Sequence, residues 1–272
     1  MTETPGKSTW TPTKSTVGGD GVLITVSNAP RLANHWWVAC HVSSGFTGLQ
    51  TAAVPDEPTT TPVDRMKDRI ADVLDSHRIQ DLVATYLDPD PRSPFAGTSF
   101  DSLGGNPPNA FTVDDLLAVT MLDVRVRPPA VRALLTTHGD EFGGLLAAIG
   151  PDVDMWLADD ATLAAAEKLG DRLDELPGIG PAIASKMLAR KRPRLVPIAD
   201  SVVRRALHPP DGGFWITLRG CLESDDLRDR IERLRPPFAT GVSLLRLLDA
   251  AIWMRGSGAM YAKAARRLVG KP

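Results

Sequence analysis

Residues 176–205 read Leu176-Pro177-Gly178-Ile179-Gly180-Pro181-Ala182-Ile183-Ala184-Ser185-Lys186-Met187-Leu188-Ala189-Arg190-Lys191-Arg192-Pro193-Arg194-Leu195-Val196-Pro197-Ile198-Ala199-Asp200-Ser201-Val202-Val203-Arg204-Arg205. The preceding segment, Asp160 to Glu175, is dense in Ala, Leu, Glu and Lys, all strong helix formers. Leu163, Ala166, Leu169 and Leu173 recur every three or four residues and give it one apolar face. Gly178 and Gly180 then break the helix, since glycine permits positive φ and close backbone approach. Pro181 suits the first position of a new helix, where a missing N–H costs nothing. Ile183, Met187 and Leu188 supply that helix with a buried side. Two helices joined by a tight glycine turn are predicted over 160–191, with free N–H groups at the turn that attract a phosphate. An ordinary turn within a helical bundle is the alternative reading of Gly-x-Gly alone.

Arg190, Lys191, Arg192 and Arg194 follow at the far end of the second helix. Cations there complement the helix dipole in any protein, but the charge distribution asks for more. Residues 176–272 hold 18 Lys+Arg and 8 Asp+Glu, a balance of +10, whereas residues 1–175 hold 13 and 25, a balance of −12. The formal net charge of −2 therefore hides a basic C-terminal portion, the footprint expected of phosphate binding. Asp200 stands immediately before a Val-rich helix start. It suits an N-cap there, and it equally suits a carboxylate held near a bound nucleotide.

With these residues in hand, the chain resembles the helix-hairpin-helix DNA glycosylase superfamily, which includes endonuclease III-like, adenine-mismatch and alkyladenine glycosylases. Leu176 to Gly180 match that family's hairpin, and Asp200 falls at the spacing of its catalytic aspartate. The strong match covers about 30 residues, and a weaker one runs over roughly 110–270. The longer string through Ala189-Arg190-Lys191-Arg192-Pro193 resembles an uncharacterised subgroup of high-GC bacterial proteins. The resemblance implies that the enzyme binds double-stranded DNA, flips a damaged or modified base and hydrolyses its bond to the sugar. Asp200 would be catalytic, and Gly178, Ile179, Gly180, Ala182, Lys186, Arg190, Lys191 and Arg192 would hold the DNA backbone. Bifunctional members carry a lysine at the seventh motif position, where this chain has Ala182; a monofunctional enzyme without lyase activity is implied. Lys186 lies one turn further on the same face and is read first as a phosphate contact. No cofactor is implied beyond a monovalent cation at the hairpin. An iron–sulfur cluster is excluded, because Cys40 and Cys221 are the only cysteines and such a cluster needs four. They fit neither a disulfide framework nor a zinc site and are read as free thiols.

A flipped base needs a pocket with aromatic walls and a few polar groups. Phe111, Trp215, Trp253 and Tyr261 are the aromatic candidates, with core packing as their alternative. Asp123 and Asp249 interrupt the apolar runs Leu116–Val126 and Leu244–Met254. A carboxylate accepts a hydrogen bond from an exocyclic amine; pairing with Arg125 or Arg246 is the other account. The target base stays open, from uracil and alkylated purines to hypermodified bases of invading phage DNA. A DNA-holding module with no chemistry is the main competing function.

The rest of the chain reads as an all-α, two-lobed helical bundle over 63–272, with the turn and Asp200 at the cleft. Helices are predicted over 63–87, 112–123, 128–137, 140–149, 160–175, 181–191, 201–207, 212–222, 224–234, 240–254 and 258–269. Residues 88–109 form a long Pro/Gly-rich loop, the kind that is usually functional. Thr112 followed by Asp115 falls short of the standard capping box. Residues 1–62, rich in Thr, Ser, Gly and Pro, read as disordered or loosely attached, with short strands at 22–26 and 36–40. No apolar run approaches membrane-spanning length and no secretory signal pattern is visible, so a cytoplasmic monomer is expected.

Overall fold

The computed structural model describes residues 60–270, all helix and connecting segments, with no strand among the described residues. Of the N-terminal region 1–62 read as disordered, residues 1–59 with both candidate strands lie outside them, while Thr61 and Pro62 belong to the start of the first helix.

The chain opens with α1 (Pro62–Leu74), started by a reciprocal capping box between Thr61 and Asp64. The single helix expected over 63–87 is broken. Asp75, Ser76, His77 and Arg78 have nothing apolar to bury, the Ser76 hydroxyl bonds back to the Asp72 carbonyl at 3.0 Å, and Arg78 takes a left-handed φ of 53°. Side-chain bonds of that kind compete with the helix ladder. The break redirects α2 (Ile79–Leu87) onto α12.

The long loop carries one short helix, α3 (Ser99–Ser102), before α4 (Val113–Thr120). Thr112 and Asp115 do form a full reciprocal box at the start of α4, with Asp in the place usually held by Glu. The next predicted helix appears as α5 (Pro128–Arg132), running into one π-turn at Ala133–Thr137. Then come α6 (Gly139–Ile149), α7 (Asp160–Asp174), α8 (Pro181–Lys191), α9 (Ser201–Leu207), α10 (Phe214–Leu222), α11 (Asp225–Glu232), α12 (Leu244–Gly256) and α13 (Met260–Val269).

Two groups of helices share one apolar core. In the first, α7 packs on α6 and α8, and α8 packs on α4. In the second, α12 packs on α2, α9, α11 and α13, while α1 packs on α9, α10 and α11. The segment 192–200 leads from α8 in the first group to α9 in the second, and so delivers Asp200 between them. No described helix is long and apolar enough to cross a membrane.

The basic cluster overturns its expected role. Arg190, Lys191 and Arg192 are buried, each less than 5% exposed, and do not face a DNA backbone. The segment 99–109, which is the short helix α3 and the irregular stretch after it, lies against the end of α8, and the carbonyls at the end of α3 and beyond need donors. Pro107 and Pro108 bring none of their own. Arg190 donates to the carbonyls of Phe100, Asp101 and Leu103 and to Asp115. Lys191 reaches Asp115, the Asn106 side chain and the Pro107 carbonyl. Arg192 spans the Pro108 carbonyl and the Leu146 and Gly150 carbonyls at the end of α6. Three adjacent cations thus sew α3, the irregular stretch after it and the end of α6 onto α8.

Part of the basic surplus beyond residue 176 is also neutralised by surface ion pairs within the chain. Arg194 pairs with Asp154, Arg219 with Asp160, Arg230 with Asp75 and Arg255 with Asp72, each joining the basic half to the acidic one.

Candidate functional site

The α7–α8 turn forms as the glycine pattern predicts. Gly178 has φ 89°, which a side chain rarely adopts, whereas Gly180 is extended at φ −115° and needs no glycine for its backbone. The amides of Gly178, Gly180 and Ala182 make no hydrogen bond among the described residues. The Ile179 side chain is buried and only its backbone belongs to the turn's surface. A Cβ on Gly178 would stand 2.6 Å from Cδ of Arg127, whose stem crosses the turn at that point. Arg127 and Arg125 are exposed, and neither forms an ion pair among the described residues. Gly178→Ala is expected to lower stability by about 1 kcal/mol through strain at positive φ, read as a shifted urea midpoint.

Beside this turn lies an open cavity of about 300 Å³, at the small end of the roughly 300–1,000 Å³ range of ligand pockets. Both helix groups line it. Ala182 and Lys186 come from α8, Asp200 to Val202 from the start of α9, Asp249 and Trp253 from α12, and Tyr261 from α13. Met121 to Val124 close one side, and Tyr86 of α2 with Phe95 of the long loop close another.

Asp200 sits at the N-cap of α9. Its Oδ1 accepts from the Val202 and Val203 amides at 2.9 and 3.0 Å. Its Oδ2 makes no hydrogen bond and stands 3.9 Å from Lys186 Nζ. One oxygen is structural, and the other is turned to the cavity. Lys186 donates to the Leu122 carbonyl at 3.0 Å and is 7% exposed. It is therefore not a surface phosphate contact: position 186, one turn beyond Ala182, points into the cavity. Burial lowers its pKa, opposed by the charge of Asp200.

Asp123 and Asp249 both line this cavity. Asp249 is bonded through Oδ2 to Arg246, as one sequence reading anticipated, yet it also lines the cavity and its buried Oδ1 has no partner. Burial pushes its pKa up to about 6. Arg246 is held in turn by the Tyr86 hydroxyl at 3.0 Å and stacks over Phe100 and Tyr86. Asp123 does not pair with Arg125. The α4 helix ends before it, and Asp123 takes a left-handed φ of 56° and accepts from the Tyr261 hydroxyl.

The aromatic candidates divide. Trp253 and Tyr261 stack at 25° with centroids 5.8 Å apart, forming one wall with Tyr86 and Phe95. Phe111 and Trp215 are not in this wall. Phe111 is buried against Phe142 and beneath Lys191, and Trp215 packs on the core from α10. Tyr86 and Phe95 escaped the sequence reading. Tyr86 looks like one more apolar position of α2, and Phe95 lies in a segment without periodicity.

Among the described residues no group of three or more His, Cys, Asp or Glu side chains is placed to hold a metal ion. Cys221 is a buried free thiol, its pKa pushed up to about 11 by burial; Cys40 lies outside the described residues.

No curated protein and no solved structure matches the chain. A family model does match, over residues 79–256, a span that contains Tyr86, Asp123, Lys186, Asp200, Asp249 and Trp253 and stops short of Tyr261. With more than half of its residues inside that match, the chain belongs to the family of unknown function DUF6308.

Proposed function

We propose that this protein is a monofunctional DNA N-glycosylase, and that the cavity beside the α7–α8 turn receives a base flipped out of duplex DNA. The observation that carries this reading is the position of Asp200, which caps α9 with one oxygen and presents the other to an aromatic-walled cavity next to unbonded backbone amides. Those amides suit a phosphate. An aromatic wall suits stacking of an extruded base.

In the proposed reaction the bond between C1′ of the deoxyribose and the ring nitrogen breaks, and its electron pair leaves with the base. Positive charge builds on the sugar, and the largely buried Asp200 carboxylate stabilises it. Water then attacks C1′ and passes a proton to the carboxylate, which yields it through solvent to the departing base anion and is restored. The products are the free base and an abasic sugar. Ala182 offers no amine at the position where the bifunctional relatives carry their lysine, which supports hydrolysis without strand cleavage.

Backbone contact passes from the buried 190–192 cluster to the exposed Arg127, whose stem lies on Gly178, and Arg125, next to the cavity-lining Val124, together with the turn amides. Replacing both arginines with Ala is expected to weaken duplex binding evenly across sequences. It is also expected to reduce the slope of log K against log salt by about 2. A titration by fluorescence anisotropy at several salt concentrations measures this, and an unchanged slope would remove the two residues from the interface. The function itself is tested by incubating the protein with duplexes that carry uracil, alkylated, oxidised or hypermodified bases, and scoring abasic sites. No release from any of them, with duplex binding retained, would favour a DNA-holding module in which Asp200 is a cap alone.

A further inference from the structure

We propose that the Asp249 carboxyl reads the edge of the ring that enters the cavity, selecting a heteroaromatic ring that carries an amino group over one that carries a carbonyl in the same place. The glycosylase reading is needed here only to identify that ring as a nucleobase.

The ionisable groups of the cavity lining are mostly acidic. Asp123, Asp200 and Asp249 supply carboxylates and Leu122 adds a carbonyl, while the Ser201 hydroxyl and the Trp253 indole N–H are the neutral donors beside them. Among the described residues Lys186 is the one cationic side chain in the lining, and its amine is already committed to Leu122 and Asp200. A carboxylate only accepts, so a ring edge with N–H groups fits this lining and a carbonyl edge meets like partial charge.

Asp249 is the member placed to discriminate. Asp200 spends Oδ1 on the α9 cap, and Asp123 is bound by Tyr261. Asp249 is 7% exposed at the junction of the cavity with the core, with Oδ2 locked by Arg246 and Oδ1 buried without a partner. A buried acceptor without a donor is costly and calls for an explanation. A ligand N–H supplies that missing donor, and a ligand carbonyl makes the deficit worse. Trp253, one turn along the same helix, holds the ring by its face while Asp249 meets its edge.

Protonation removes the preference. Burial, reinforced by the nearby charge of Asp200, raises the Asp249 pKa to about 6. Below that value Asp249 carries an O–H and can donate to a carbonyl. The charged groups facing Asp249 are Arg246 of its own helix, Lys186 of α8 and Asp200 ahead of α9. Tyr86 of α2 and Asp101 of α3 reach it through Arg246.

The test uses the full chain and free nucleosides, so it needs neither DNA binding nor base release. Ligand-observed NMR titrations compare 2′-deoxyadenosine with 2′-deoxyinosine, and 2′-deoxycytidine with 2′-deoxyuridine. At about pH 8 the amino member of each pair is expected to bind about 10-fold more tightly, the worth of one well-placed hydrogen bond. Asp249→Asn, which keeps an acceptor for Arg246, is expected to reduce that ratio to about 2-fold or less. In the unaltered protein the adenosine–inosine ratio is expected to collapse between about pH 7 and about pH 5. Should Asp249→Asn fail to fold, this pH series decides alone. Equal or reversed preference at about pH 8, a ratio untouched by pH or by the variant, or no binding of any nucleoside at about 10 mM would each overturn the proposal. A preference that holds while no duplex loses a base would retain the reading group and discard the glycosylase; release without the preference would do the reverse.

Discussion

Asp200→Asn is expected to cut base release by about 1,000-fold while duplex binding and folding stay near their original values. The loss follows from removing a negative charge aimed at the place where positive charge develops, an effect of about 100- to 1,000-fold or more in water-excluded sites. The preserved fold follows from the cap. Asn serves at an N-cap as well as Asp, so the amides of Val202 and Val203 keep their acceptor. Asp200→Ala is the informative contrast. It removes charge and cap together and is expected to cost about 1 kcal/mol of stability as well. Single-turnover release from the best duplex substrate, with urea unfolding of both variants, separates the two roles. If the Asn variant released the base at the original rate, Asp200 would be left as a cap and the chemistry would lie elsewhere.

Arg190→Ala is expected to destabilise the protein by about 3–5 kcal/mol, the usual consequence of leaving buried partners without their counter-ion. That is a large share of a total stability that is typically about 5–15 kcal/mol. Removing the guanidinium strands the carbonyls of Phe100, Asp101 and Leu103 and one oxygen of Asp115. Asp115 also completes the capping box of α4, so the damage spreads to the helix that ends at the cavity. A fall in the urea midpoint with little change in slope would report it. A stable Arg190→Ala protein that merely loses DNA would instead restore the cluster to the interface.

The helices and the turn were legible because their signals are local. The apolar spacing of α7, the proline at the start of α8 and the aspartate before α9 all act within a few residues of themselves. The failure at Asp75–Arg78 has the same root. The apolar positions on either side keep helical spacing, and only the packing of α2 on α12 shows that the chain turns there.

The cavity was legible in part. Asp123 and Asp249 stood out as acids inside apolar runs, a placement that demands a partner or a ligand, and Asp249 has the first with room for the second. Trp253 and Tyr261 carry no local mark to set them apart from Phe111 and Trp215. All four are aromatics on mostly apolar segments, and only the meeting of α2, α12 and α13 selects the first two.

What the sequence determined by itself was the all-α architecture, the glycine turn and the helix-capping place of Asp200, since each depends on neighbours in the chain. The tertiary structure alone decided which charges face solvent. Arg190, Lys191 and Arg192 look like a basic surface until the segment 99–109 presents carbonyls to them, and Arg125 and Arg127, in the acidic half, are left exposed. A charge is neutralised by whatever lies within a few ångströms, and here those groups stand up to 90 residues away along the chain.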